Sequence, residues 1–262
     1  MKLKQFNILF VLSFIISNSI HGQTIVNTEK LAGQTAKGFN AGLEFNFDFE
    51  QGNSDLIELS GNSLLGYRKN NQSIKFMTGV RYLSEEDNEL IFRNFIHLRH
   101  NYYITKSIRS FAFYQLQKNN SLLLKRRQLF GAGLRKVFTI MDSLNIDAGS
   151  GLMYEMEKFN KRDILNNENA SQSSYRMANI LSIRYKIKSN ISILNTLYFQ
   201  PDISDFNDFR FFNELSLSFA FNELMQFNIA SVWRHDSQPP HDLKRNDINI
   251  QTGIVMRFHM SD

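Results

Sequence analysis

The chain contains no cysteine among its 262 residues, so no disulfide framework holds it together. That absence suits a protein threaded unfolded across an envelope compartment. Only three prolines occur, all between Pro201 and Pro240, which leaves most of the chain free for uninterrupted β-ladders. Long apolar runs are missing as well. The N-terminal run from Ile8 to Ile16 is broken by Ser13 and falls far short of the roughly 20 residues a spanning helix requires. Helical spans are therefore excluded, and a membrane protein made from this chain must cross with strands, the other backbone that satisfies its own polar groups in lipid. Charge of one sign is not concentrated either. The formal net charge is +5, of which Lys2 and Lys4 supply two, and no basic run or stripe gathers the rest. Nucleic-acid binding is excluded on that ground.

What is present begins with an export signal. Lys2 and Lys4 precede the apolar run, and small and polar residues follow to Gly22 before Gln23. This is the pattern of a cleaved signal peptide. The expected organisation is a signal peptide over 1–22, a short periplasmic segment over 23–36, and a barrel over 37–260.

From Phe39 onward the period is two. Phe39, Ala41, Leu43, Phe45, Phe47 and Phe49 alternate with Asn40, Gly42, Glu44, Asn46, Asp48 and Glu50. The alternation returns eleven more times, with segments near 57–67, 74–82, 90–102, 108–116, 124–136, 144–156, 175–187, 191–199, 209–221, 225–233 and 248–260. Each is long enough to cross a hydrocarbon layer, for which roughly 9–11 tilted residues suffice. In the fifth, sixth and ninth, apolar residues occupy both faces and the parity does not by itself say which side looks inward. Connections alternate between short turns and longer polar loops, as expected for periplasmic and extracellular sides. Aromatics cluster at the two ends of the apolar face: Phe49, Tyr82, Phe92, Tyr114, Tyr154, Tyr175, Phe209 and Trp233 at one, Tyr67, Tyr102, Tyr185, Phe221 and Phe258 at the other. The fold expected is all-β, a single transmembrane antiparallel barrel of about twelve strands in a Gram-negative outer membrane. Both termini would be periplasmic, and the barrel-assembly machinery would be a partner during biogenesis.

Several short stretches carry a family resemblance. Gln51, Gly52, Asn53, Ser54 and Asp55 form a turn similar to a Gly-Asn-Thr-Asp turn, with Ser54 where Thr is usual. Ser110, Phe111, Ala112, Phe113, Tyr114 and Gln115 lead into Arg127 and then Gly131, Ala132 and Gly133. In these the chain resembles the salt-induced outer-membrane proteins, which share a domain of unassigned function. The resemblance spans most of the chain from about Phe39 and implies a barrel without implying a chemistry.

The inward face gathers charge. By parity it holds Arg81, Arg93, Arg99, Arg127, Arg176, Arg184 and Arg210, with Arg68, Arg109, Arg135, Arg234 and Arg257 besides. Facing them are Glu44, Asp48, Glu58, Asp147, Glu155 and Glu214, with Glu50 and Glu157. Charges at this density must be hydrated or paired. Two outcomes stay open: a water-filled lumen that favours small anionic solutes, or a closed arginine–carboxylate lattice that braces the barrel. An embedded lipid hydrolase is a remote third, because His100, on the lipid face, has no serine nucleophile beside it that the sequence identifies. Catalytic, cofactor and metal residues are assigned to none. His97 and His100 lie on opposite faces and cannot share an ion. The loop groups His235, Asp236, His241 and Asp242, and Asp202, Asp205 and Asp208, read as solvated loops, as does the acidic stretch Glu85, Glu86, Asp87 and Glu89. Lys125 and Arg126 open the sixth strand near the outer rim, where a lipopolysaccharide phosphate contact is expected.

Overall fold

Alternating side chains in segments this long need two environments, and a closed sheet supplies them: one face outward, one enclosed. A computed structural model describes residues 27, 29, 37–50, 56–85, 88–160, 170–239 and 243–260. The expected signal peptide, nearly all of 23–36, the turn 51–55 and the loop residues Glu86, Asp87, His241 and Asp242 lie outside the described residues.

Thirteen strands follow in order: β1 (Gly38–Glu50), β2 (Leu56–Lys69), β3 (Gln72–Glu85), β4 (Asn88–Tyr103), β5 (Ile108–Asn119), β6 (Leu124–Met141), β7 (Leu144–Phe159), β8 (Ser171–Met177), β9 (Asn179–Lys188), β10 (Ile191–Pro201), β11 (Phe209–Ala220), β12 (Met225–Asp236) and β13 (Asn246–Met260). Every neighbouring pair is antiparallel, and β1 pairs with β13, closing the sheet on itself. The barrel is an all-β, twelve-span closed cylinder, as the alternation predicts.

The thirteenth strand arises because one span is interrupted. β8 and β9 are collinear and keep the same register against β7, Met177 opposite Leu152 and Ile180 opposite Gly149. The break falls beside Pro201. Continuing the β9–β10 register would set Met177 against Pro201, which has no N–H to donate, and the ladder resumes one step further as the Arg176–Asp202 bridge. Ala178 instead donates its N–H to Gly151 at 2.8 Å.

The end carrying Gly38 and Met260 is joined by tight turns and is called here the terminal end; the other is the loop end. At the terminal end two residues link β2 to β3, with Asn70 at φ 51, a left-handed conformation asparagine tolerates. Closure at the seam is short. β1 pairs with β13 over seven residues, Phe39 to Phe45, whereas it pairs with β2 over thirteen.

The outer surface is an apolar band. Phe45, Leu134 and Ile250 are 55, 57 and 73 % exposed, alongside Ile74, Val80 and Leu152. So much exposed apolar area is foreign to a water-facing surface and proper to a lipid-facing one. Aromatic pairs rim it, Tyr154 on Tyr175 at 4.8 Å and Phe211 on Trp233 at 4.9 Å. In the strands where parity was ambiguous the structure decides. Phe111, Phe113 and Gln115 of β5, Arg127 and Leu129 of β6, and Leu194, Thr196 and Tyr198 of β10 are buried inside. Their outward alternates, such as Tyr114, Phe130 and Leu197, meet the lipid side. No described helix is long and apolar enough to cross a membrane.

Candidate functional site: the charged lumen

Inside the barrel three layers succeed one another. At the loop end Glu155 and Glu157 of β7 point inward two residues apart and are almost fully buried. Glu155 accepts from Arg176 Nε at 2.8 Å, from Arg210 Nη1 at 2.5 Å and from Arg127 Nε. Arg210 reaches Glu157 at 3.2 Å and Asp236 at 3.1 Å, and Arg176 forks onto both carboxylate oxygens of Asp208, at 3.0 and 2.6 Å. Each arginine thus bridges at least two carboxylates. This closed circuit offsets part of the desolvation that burying such charges costs. Across the lumen Arg81 forks onto Glu58 with two bonds of 2.9 Å, and Arg234 meets Asp247 at 3.4 Å.

The middle layer is apolar. Phe111, Phe113, Leu129, Met153, Ile180, Tyr198, Phe212 and Val232 form one buried cluster inside the barrel, with Ala178. Glycines make room for it. A Cβ at Gly131 would stand 2.4 Å from the Phe113 ring, and one at Gly133 would stand 2.3 Å from the Ser150 carbonyl and 2.8 Å from the Phe111 ring. The two rings therefore lie directly on bare backbone, the close approach the inward glycines suggest. Between Phe111, Phe113, Tyr198, Arg99 and Arg135 remains a void of about 10 Å³, room for about one water.

The third layer is a chamber of about 750 Å³ at the terminal end. Nine of its lining residues are Lys or Arg, among them Lys75, Arg99, Arg109, Arg135 and Arg184, against three acids, Glu29, Asp147 and Glu223. Asp147 accepts from Arg135 Nε at 3.0 Å and from Arg109. Glu29 belongs to no strand of the wall, yet its carboxylate accepts from Arg135 Nη1 at 2.7 Å and Arg99 Nη1 at 3.4 Å. Arg184 Nη2 reaches its backbone carbonyl at 3.5 Å. Asn27, two residues earlier, donates to Glu214 at 3.0 Å. Burial alone would raise the Glu29 carboxyl, but Arg135, Arg99 and Lys75 hold it well below the ordinary carboxylate range.

Most of the inward residues read from parity are brought together here. Glu44 is buried and accepts from Asn62 at 3.0 Å, and Arg93 stands directly opposite Arg81 in the β3–β4 ladder. The side chain of Asp48 lies outside the described residues. Lys125 and Arg126 are exposed on the outer rim, not in the lumen. His97 stacks on Phe113 at 5.4 Å inside, whereas His100 meets Gln72 at 3.2 Å outside. The two therefore face opposite ways, and the polar contact of His100 is an amide.

Two assignments change, and one inward residue is added. Asp236 and Asp208, read as members of solvated loops, are lattice carboxylates paired with Arg210 and Arg176. Lys75 is an inward residue, 7 % exposed, that parity along β3 could have found from Arg81. Asn27 and Glu29, from the segment expected below the barrel, sit inside it, and no strand period could have signalled that. Among the described residues no group of three His, Cys, Asp or Glu side chains is placed to hold a metal ion.

Solved β-barrel structures resemble this one in fold. The NanC porin superposes with a TM-score of 0.50 at 8 % identity, over 84 % of this chain and 100 % of that one. A KdgM porin in complex with disordered oligogalacturonate gives 0.47 at 11 % identity, over 84 % and 99 %. The translocator domain of the autotransporter NalP from Neisseria meningitidis gives 0.48 at 11 % identity, over 88 % and 91 %. At 8 % identity the likeness to the NanC porin is one of fold alone. No curated protein matches the sequence. Residues 43–258 match the model described as "Protein of unknown function, DUF481", and the chain belongs to that family.

Proposed function

We propose that this chain is a Gram-negative outer-membrane barrel, termini toward the periplasm, that passes small anions passively through a narrow lumen. The observation that carries this reading is the charge of the terminal-end chamber, nine basic side chains against three acids around about 750 Å³. Excess charge of one sign in an enclosed aqueous space favours counter-ions, as rings of like charge do in pores. At the loop end Arg127, Arg176 and Arg210 are already paired with Glu155, Glu157, Asp208 and Asp236, so the preference for anions rests on the chamber. Planar-bilayer recording tests this. Folded protein is expected to show a small anion-selective current, and Arg184→Glu to weaken or reverse the selectivity; no current from well-folded protein sinks it.

A second reading is favoured by one specific observation. The apolar layer of Phe111, Phe113, Tyr198 and Phe212 supports a closed lumen in which the lattice only braces the wall. Such a barrel carries no current and loses stability, not permeability, when the lattice is cut. A lipid hydrolase gains no support from His100 beside Gln72.

On the outer rim, Arg126 lies directly across from Lys158 in the β6–β7 ladder, and both line a groove of about 430 Å³ with Gln128 and Tyr154. Lys125 and Arg126 at this level suit the phosphates of lipopolysaccharide, with lipid as the surrounding partner.

A further inference from the structure

Glu29 occupies a socket built entirely by other residues. Lys75, Arg99, Arg109, Arg135 and Arg184 come from β3, β4, β5, β6 and β9, and the wall carboxylate Asp147 pairs with Arg109 and Arg135. Lys75, Arg99 and Arg135 are each no more than 7 % exposed. Buried cations in such excess call for a further anion. The anion present is the side chain of Glu29, which belongs to no strand of the wall. It binds as a ligand would, through charge-assisted bonds from Arg135 at 2.7 Å and Arg99 at 3.4 Å. The adjoining chamber, about 750 Å³, is within the roughly 300–1,000 Å³ range of small-molecule sites.

We propose that the Arg99–Arg135 socket is a binding site for small organic carboxylates, and that Glu29 is its intramolecular occupant, competing with them for the same two guanidiniums. This deepens and rests on the anion reading above, but it is tested by binding instead of current, so the failure of one is told apart from the failure of the other. The tethered carboxylate acts at an effective concentration of order mM, so a free carboxylate binds the intact protein weakly until Glu29 is removed.

The experiment uses the barrel purified in detergent, intact and as Glu29→Ala, titrated with propionate or succinate against chloride at matched ionic strength. Calorimetry and the unfolding midpoint are both read. Glu29→Ala is expected to bind carboxylate saturably, about tenfold or more tighter than the intact protein. Propionate, the counterpart of the whole glutamate side chain, should restore the lost midpoint where chloride does not. Adding Arg135→Gln to Glu29→Ala should abolish both effects. Should Glu29→Ala not fold, Glu29→Ser removes the carboxylate and opens the same space, and should show the same preference for carboxylate over chloride. Equal binding by the intact and substituted proteins, or equal effects of carboxylate and chloride, would overturn the proposal. Inorganic phosphate serves as a further arm, and phosphate binding Glu29→Ala more tightly than succinate would overturn the carboxylate assignment.

Discussion

Glu155 and Arg210, on strands β7 and β11, meet through a bond of 2.5 Å at the centre of the loop-end lattice, and three arginines converge on that one carboxylate. Glu155→Gln leaves Arg127, Arg176 and Arg210 around an amide that cannot balance them. Breaking a fully buried pair costs about 3–5 kcal/mol, and a loss of that order is expected in urea unfolding of the refolded barrel. Arg81→Gln, which removes one fork onto the more accessible Glu58, should cost clearly less.

The two inward glycines of β6 should differ in their tolerance of a methyl group. At Gly131 the added Cβ meets the far edge of the Phe113 ring, which can swing away, but at Gly133 it meets the Ser150 carbonyl and the Gly151 Cα, both backbone. Overpacking of this kind costs about 1–3 kcal/mol. Gly133→Ala is expected at or above the top of that range and Gly131→Ala near its bottom. Unfolding midpoints check the order.

Acid should loosen the docked N-terminal residues. The Glu29 carboxyl is depressed in the folded barrel, so its docking contributes stability that is fully present above the ordinary carboxylate value of about 4.5 and is lost as pH falls through the folded value. Glu29→Gln has no such proton to gain. The intact barrel should therefore lose midpoint relative to Glu29→Gln as pH is lowered from about 5 to 3, and parallel profiles would count against the docking.

On the rim, Arg126→Ala should reduce the lipopolysaccharide that copurifies with the barrel, and Arg126→Ala with Lys158→Ala should reduce it further. Hydrogen bonds to charged groups are worth about 1.5–3 kcal/mol, enough to register as weaker retention. Unchanged lipid A by mass spectrometry sinks the contact.

The fold was legible because strand parity is a local signal: once Phe45 faces out, Glu44 must face in, and twelve repeats leave one way to close. The mixed strands were not, since Phe111 and Phe113 look as lipid-loving as Tyr114. The glycines opposite, which leave a slot for rings, help to decide the side. Parity also found most of the lattice arginines but assigned Asp208 and Asp236 to water, because a loop residue's burial depends on what the neighbouring strand extends toward it. Glu29 had no periodic signal at all; its place is set by the charge of a wall assembled from five distant strands.

The seven-pair seam between β1 and β13 is little more than half the length of the β1–β2 ladder. Hoop strength in a cylinder is that of its weakest stave joint, and here that joint falls where the first strand meets the last. Sideways prying, whether by force or by an inserting strand from another chain, would part the wall at that place first, above Phe45 and toward the loops, long before any other pair of neighbours let go.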